Sequence, residues 1–316
     1  MKHRVLQAGR LLPELEARLV ADFDLHRLSD EPEPESFLQS RGADFVGLVT
    51  SAGGLGAPAW LIAALPSLRV ISSFGVGLDK IDLALARERG IAVGHTPDVL
   101  NDCVADTAFA LMLDVARRIS EADRFVRAGR WAAAGSPAFG LGRKVSGARL
   151  GIVGLGRIGQ NIARRTSGFD MPLRYHSRRP VDGVPWQHEP DLLDLARWAD
   201  YLVVITAGGA GTRHLIDAQV LDALGPRGFL INVSRGSVVD EKALVAALLE
   251  RRIAGAGLDV FLREPRVPVE LLTLDNVVLL PHIASATQET RAAMAQRVLD
   301  NLAAFFADGR LVSAAL

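Results

Sequence analysis

Cysteine, charge imbalance and unbroken apolar sequence are all scarce in this 316-residue chain. A single cysteine, Cys103, has no partner for an internal disulfide and rules out a thiolate metal cluster, so no metal is expected; this suits a reducing compartment, the cytoplasm. By itself the residue reads as a small buried apolar side chain. Lys and Arg number 36 and so do Asp and Glu, which disfavours a basic nucleic-acid face. The opening MKHRVLQAGRLLPELEARL carries charges every few residues and no apolar core, so nothing in it directs export. Phe45 to Leu68 lacks charge and exceeds the ~20 residues that cross a bilayer. Its Gly47, Gly53, Gly54, Gly56, Pro58 and Pro66 break it into a short strand, a glycine-rich loop and a short helix, so no membrane contact is expected. Internal repeats, low-complexity tracts and charged tails are also missing. At 49% hydrophobic and 23% charged, the composition is that of a folded globular protein.

The chain exceeds the size at which one hydrophobic core stops growing, so two domains are expected. Apolar, β-branched runs alternate with segments of helical period: FVGLVT, LRVISSF and IAVGHT early, then RLGIVGLG, PLRYHS, YLVVIT, FLINVS, GAGLDV and VVLLPHI. Continuous apolar strands between helices are the pattern of parallel sheets covered on both faces. One α/β unit runs to about His95 and another opens at Arg149. Between them, Val104, Ala108, Phe109, Leu111, Met112, Val115 and Ile119 recur at three and four residues, predicting a long helix that bridges the units. Ser285 and Gln288 have the spacing of a capping box, predicting a helix that continues through Met294, Val298, Leu302 and Phe305. With no strand after it, that helix is expected to fold back and make the first unit discontinuous.

After the strand RLGIV comes Gly154-Leu155-Gly156-Arg157-Ile158-Gly159, opening the helix RIGQNIARR. With 30 glycines, chance alone gives about 0.3 matches to G-x-G-x-x-G, so the strand-turn-helix context carries the inference. Gly154 suits a tight turn, Gly156 the close approach of a pyrophosphate, and Gly159 helix–strand packing, while the helix N-terminus offers N–H groups and a positive dipole end. Dinucleotide binding is the reading; a plain glycine turn is the alternative. Downstream, three strands end in unusual polar residues: Arg235 in INVSRGSVVD, Asp259 and Glu264 in GLDVFLREP, and His282 in LLPHIASAT. Ligands of open α/β sheets lie at the carboxyl ends of strands, so these are candidates for chemistry. Singly, each has a bland alternative: a surface cation, a solvated loop acid, a core histidine.

Taken in order, SSFGVGLDKID, TPDVLNDCVAD, GIVGLGRIG, VSRGSVVDE, GAGLDVFLREP and LLPHIASAT resemble the D-isomer-specific 2-hydroxyacid dehydrogenase family, most of all its hydroxypyruvate, glyoxylate and hydroxyphenylpyruvate reductase branch, over essentially the whole chain. The resemblance implies two Rossmann-like/flavodoxin-like α/β domains with a cleft between them. The dinucleotide-binding domain (99–285) is inserted into a discontinuous substrate domain (1–98 and 286–316). It also implies NAD(P)-dependent reduction of a small 2-oxo acid to the D-2-hydroxy acid. That reaction needs a cation for the carboxylate and carbonyl oxygen, a proton donor for the developing alkoxide, and a positioned hydride. Arg235 meets the first need, and His282 is the general acid, oriented by Glu264. Asp259 resembles the position that contacts the nicotinamide carboxamide, with a helix cap or a buried ion pair as its alternative. The resemblance also places Thr206 and Val233 beside the cofactor. In the first domain, backbone N–H groups around Val76 and Gly77 resemble the loop that receives the substrate carboxylate. Ser285 resembles a substrate-touching position. The family also implies a homodimer, through the segment VRAGRWAAAGSPAFGLG, where Trp131 fills the interface or reaches the partner's site.

One departure from the family is the run Thr206-Ala-Gly-Gly-Ala-Gly-Thr212 in place of a Pro-Leu-Thr run, which predicts a more mobile or roomier loop. The cofactor preference comes from the end of PLRYHS. An NAD enzyme has an Asp or Glu about 20 residues past the fingerprint to bind the ribose hydroxyls. Here Ser177 stands 21 positions after Gly156, followed by Arg178 and Arg179, and no acid appears before Asp182. NADP(H) is therefore expected over NAD(H), since hydroxyl and guanidinium groups suit a 2′-phosphate that a carboxylate would repel. Two other functions remain open: a dehydrogenase of this fold acting on another small anion, such as formate or phosphite, and a nucleotide-sensing corepressor.

Overall fold

Two parallel sheets organise the chain in a computed structural model that describes residues 2–135 and 139–315. The first holds β1 (Arg4–Gln7), β2 (Asp24–Arg27), β3 (Gly47–Ser51), β4 (Val70–Phe74) and β5 (Ala92–Gly94), in the order β2-β1-β3-β4-β5. The second holds β6 (Leu150–Val153), β7 (Leu173–His176), β8 (Gln187–His188), β9 (Tyr201–Val204), β10 (Phe229–Asn232), β11 (Gly255–Leu258) and β12 (Val277–Leu279), in the order β12-β11-β10-β9-β6-β7-β8. Every pairing is parallel. The five-stranded order is flavodoxin-like. The seven-stranded order is the doubly wound dinucleotide-binding arrangement with one strand added, and its order reverses between β6 and β9. No helix among the described residues is long and apolar enough to cross a membrane.

The chain divides into two units, residues 1–100 with 287–316 and residues 101–286. Each unit has its own core. In the first, Leu6, Leu48, Leu61, Ile62, Leu65 and Ile71 are fully buried. In the second, Leu202, Val204, Leu230, Leu244, Leu248 and Leu258 form the centre. Strands β4, β6, β9, β10 and β11 are buried at every residue, which is why they read as continuous apolar runs.

The long helix Asn101–Arg117 falls wholly in the second unit, where it covers β10 and β11. Glycines in β11 make room for it: a Cβ at Gly257 would stand 2.9 Å from Leu111 Cβ, and one at Gly255 3.0 Å from Val115. The last helix, Gln288–Asp308, packs on β4 in the first unit, with Ser72 Oγ donating to the Val298 carbonyl at 3.1 Å. Its start corrects the capping-box expectation. The N-cap is Thr287, whose hydroxyl accepts from Thr290 N, and not Ser285. Ser285 instead lies in the preceding turn, which is fastened elsewhere, as described below.

Strands β1, β2 and β8 were not evident in the sequence pattern. β2 and β8 are sheet edges and carry polar residues, DLHR and QH. β1 begins with Arg4, paired with Asp24 at 3.0 Å and Asp44 at 2.7 Å.

Candidate active site and cofactor cradle

The glycine cradle stands at the point where the second sheet's order reverses. β6 ends at Val153, and Gly154 turns the chain with φ 102, a conformation suited to glycine. A Cβ there would stand 2.9 Å from the backbone of Thr206, so Thr206, just beyond β9, lines the same crevice. At Gly159 a Cβ would lie 2.2 Å from the Gly154 carbonyl oxygen, so packing demands glycine. Gly156 is different. Its φ is an ordinary −72 and nothing lies within 4 Å of where its Cβ would be. Neither packing nor backbone conformation requires glycine at 156, but a phosphate approaching the N-terminus of the helix Arg157–Arg165 does, and Gly156 supplies no side-chain cap to compete with it. The residues present therefore fit a dinucleotide. Leu155 is buried beneath the turn.

At the far end of β7, Ser177 is part-buried while Arg178 and Arg179 are exposed and have no ion-pair partner among the described residues. Ser177 Oγ donates to the Arg179 carbonyl at 2.6 Å, so its proton is used within the turn. Beyond β9, the segment expected to form a looser loop makes a short turn at Ala210–Thr212. There the Thr212 hydroxyl donates to the carbonyls of Ala207 at 2.7 Å and Gly209 at 3.3 Å.

Three consecutive strand ends assemble the polar centre. After β10, the buried amide of Asn232 accepts from Ser234 N and Ser234 Oγ and donates to the Arg235 carbonyl at 3.1 Å, so one side chain shapes the whole Val233–Arg235 turn. Val233 is buried there, its N–H on the Val204 carbonyl at 3.2 Å. The Arg235 side chain is part-buried, with Nη1 donating to the Ser234 carbonyl at 2.8 Å. A Cβ on Gly236 would lie 2.0 Å from the Phe261 backbone, so glycine is what lets the Arg235 turn press against the segment that carries Glu264. Sequence reasoning did not single out Asn232 or Gly236. The signal was a polar residue ending an apolar strand.

After β12, His282 adopts φ 55, a left-handed conformation uncommon outside glycine. Asp259, 1% exposed, holds it there. Its backbone oxygen accepts from His282 N at 2.9 Å, and its carboxylate oxygens accept from Ile283 N at 2.7 Å and Ala284 N at 3.0 Å. Burial pushes the Asp259 carboxyl above its usual range despite those two backbone donors. His282 Nδ1 meets Glu264 Oε2 at 2.8 Å. Burial alone would raise the Glu264 carboxyl, but the hydrogen bond and charge of His282, the Phe261 N–H and the nearby Arg235 charge outweigh it, and the net shift is downward. The structure therefore brings Arg235, Glu264 and His282 to one end of one sheet, with Asp259 beneath them.

Val76 and Gly77 lie in the first unit, directly after β4. Gly75, φ 144, admits a tight turn over Ala52, and neither the Val76 nor the Gly77 N–H has an acceptor among the described residues. The segment expected at an interface, 126–142, exposes Val126, Trp131 and Leu141. Phe139 within it meets Phe125, just before it, at 5.4 Å, with Arg118 over the Phe139 ring and Arg130 over the Phe125 ring. Its residues 136–138 lie outside the described residues.

A doubly wound sheet with a glycine cradle at its switch point, and an imidazole–carboxylate pair and an arginine at neighbouring strand ends, defines a dinucleotide-dependent dehydrogenase. Comparison with known proteins narrows the class. The family model described as D-isomer specific 2-hydroxyacid dehydrogenase, NAD binding domain, matches residues 109–284. The chain is 48% identical over 299 residues to a glyoxylate/hydroxypyruvate reductase of Arabidopsis thaliana, covering 95% of this chain and 94% of that one. It is 47% identical to the hydroxyphenylpyruvate reductase of Plectranthus scutellarioides, with the same coverage. The crystal structure of an NADPH-dependent glyoxylate/hydroxypyruvate reductase from Sinorhizobium meliloti, in complex with NADP and malonate, superposes with a TM-score of 0.93 at 43% identity, covering 99% of this chain and 97% of that one. The chain belongs to the D-isomer specific 2-hydroxyacid dehydrogenase family. It is an oxidoreductase that uses a nicotinamide dinucleotide.

Proposed function

We propose that the protein reduces a small 2-oxo acid of the hydroxypyruvate or glyoxylate kind to the D-2-hydroxy acid, with NADPH as the preferred cofactor and His282 as the general acid. The observation that carries this reading is the 2.8 Å bond from His282 Nδ1 to Glu264 beside Arg235. When bound, the nicotinamide supplies the hydride. With Nδ1 engaged by the carboxylate, the opposite ring nitrogen, Nε2, is the one that gives a proton to the developing alkoxide. Arg235 offers a planar fork to the carboxylate and carbonyl oxygen, and Val76 and Gly77 offer backbone N–H groups to the carboxylate. Ser285 remains a candidate substrate contact and Asp259 a candidate nicotinamide contact. Arg157 and Ile158 open the phosphate-binding helix. The basic turn Ser177–Arg179, without a carboxylate at its head, supports NADPH, and the relatives named above support the substrate class.

The reading is tested by following NADPH oxidation with glyoxylate and hydroxypyruvate in the wild type and in His282→Ala. The variant is expected to lose about 10²–10⁴-fold in turnover while its NADPH dissociation constant stays the same. Near-normal turnover would remove His282 from the mechanism. A homodimer built through the exposed apolar segment around Val126 and Trp131 accompanies this reading, as does a cytoplasmic location consistent with the lone cysteine. A monomer in sedimentation at micromolar concentration would exclude the dimer.

A further inference from the structure

β7 and β8 pair over only two positions, Arg174 with Gln187 and Tyr175 with His188. Past them the backbone of the basic turn has no strand beside it among the described residues, yet three side-chain bonds fasten it. His188 Nε2 lies 2.9 Å from the Ser177 carbonyl oxygen. The Tyr175 hydroxyl, on a residue only 1% exposed, accepts from Val181 N at 2.8 Å. Ser177 Oγ closes the middle of the turn on the Arg179 carbonyl. A carbonyl only accepts, so His188 Nε2 must carry a hydrogen in that bond. The ring is itself located by Tyr175, at 5.2 Å between centroids, and by the backbone pairing of its own residue. His188 lies outside the glycine cradle and the polar centre, and neither explains why an imidazole reaches for this carbonyl.

We propose that His188 is a positioning residue for cofactor choice. By holding the Ser177 carbonyl it fixes the start of the Ser177–Arg179 turn, so that the hydroxyl and the two guanidinium groups converge on the 2′-phosphate of NADPH. This rests on the reading that the turn binds that phosphate. Two long exposed arginines lose rotamer freedom when they bind an anion, and a backbone already held in place reduces how much more must be ordered. NADH has no 2′-phosphate and does not draw on the two charges. Loss of the His188 bond should therefore affect one cofactor and spare the other, whereas a role confined to holding the β7–β8 edge would affect both alike.

The test is a set of dissociation constants by fluorescence titration for NADPH, NADH, adenosine 2′,5′-bisphosphate and AMP, in the wild type, His188→Leu and His188→Gln. The wild type is expected to bind NADPH more tightly than NADH. His188→Leu is expected to lose about 3–10-fold for NADPH and for the bisphosphate, the weight of one net hydrogen bond, with NADH and AMP within twofold of wild type. His188→Gln, whose amide reaches with a donor, is expected to recover most of that loss. A wild type that favours NADH overturns the phosphate reading and this proposal with it. A wild type that favours NADPH, paired with a leucine variant that binds all four ligands as before or weakens all four equally, overturns the positioning role of His188 alone. The NADH constant reports on the folding of each variant in the same preparation.

Discussion

His282 keeps its left-handed backbone only because Asp259 satisfies three successive N–H groups from beneath, one through its backbone oxygen and two through its carboxylate. A non-glycine residue in that region is held at a cost of order 1–3 kcal/mol that the surroundings must offset. Asp259→Asn leaves one oxygen acceptor and turns an N–H donor toward a second N–H. The variant is expected to lose at least about tenfold in kcat, because the turn that aims the imidazole relaxes, with a smaller change in NADPH affinity. Steady-state kinetics beside a cofactor titration checks this. An affinity loss larger than the kcat loss would instead give Asp259 its main role against the cofactor. Glu264 makes a pH prediction. Its carboxyl lies below its ordinary value in the folded protein, so the stability it contributes is complete above the unfolded value, about 4.3, and is lost as pH falls through the lower folded value. The stability difference between wild type and Glu264→Gln in urea should accordingly shrink as pH falls below the unfolded value and through the lower folded one. A difference that grew on acidification would reverse the assignment.

The turn proposed to select the cofactor is an element whose sequence and structure agree on composition but not on detail. Ser177, Arg178 and Arg179 stand where expected, yet the serine proton is spent inside the turn, so on binding a phosphate the hydroxyl must rotate or serve only as a neighbour. Ser177→Asp with Arg178→Ala is expected to reverse the preference from NADPH to NADH, by removing one cation and placing a carboxylate where the ribose hydroxyls of NADH would meet it. The ratio of kcat/KM for the two cofactors measures it, and a double variant that keeps its NADPH preference would free these residues from the choice. What was legible along the chain follows how each element is solvated. β10 and β11, buried at every residue, announce themselves as apolar runs. β2 and β8 have one paired side and polar faces, so no period or run marks them. The start of the last helix was misread because Ser285 and Thr287 are both hydroxyl residues near the same boundary. Asp259 ties down residues 282–284 and so delays the helix to Thr287, and that tertiary constraint is invisible in local spacing. Arg235, Glu264 and His282 were singled out as charged or polar residues following apolar strands, and the order of the motifs that carry them, not any one residue alone, set them apart from a surface cation, a solvated acid and a core histidine. Asn232 and Gly236, which shape the Arg235 turn, work through backbone contacts that only the fold displays.

At the scale of the whole molecule, the second unit, residues 101–286, is continuous and has its own core, while the first is assembled from 1–100 and 287–316. A fragment of residues 101–286 is expected to fold and to retain NADPH binding, since the cradle, the basic turn and the Asp259-anchored turn all lie inside it. A fragment of residues 1–100 should fail to fold. It lacks the helix Gln288–Asp308 over β4, and Asn301, whose side chain bonds the His95 carbonyl and Ser313 in the intact chain. Circular dichroism melts of the two fragments decide it, and a cooperative transition in the shorter one would refute the dependence. The same discontinuity sets a timetable on the ribosome. Residues 1–100 emerge first yet are completed last, because β4 remains uncovered until residue 308 has been made. At about 5–20 residues per second that wait is on the order of 10–40 s, and the inserted unit is complete at residue 286, only about 1–4 s before residue 308. The first unit's strands therefore wait with apolar surface uncovered, and protease added to a released chain truncated at residue 287 should cut within residues 1–100 while sparing residues 101–286.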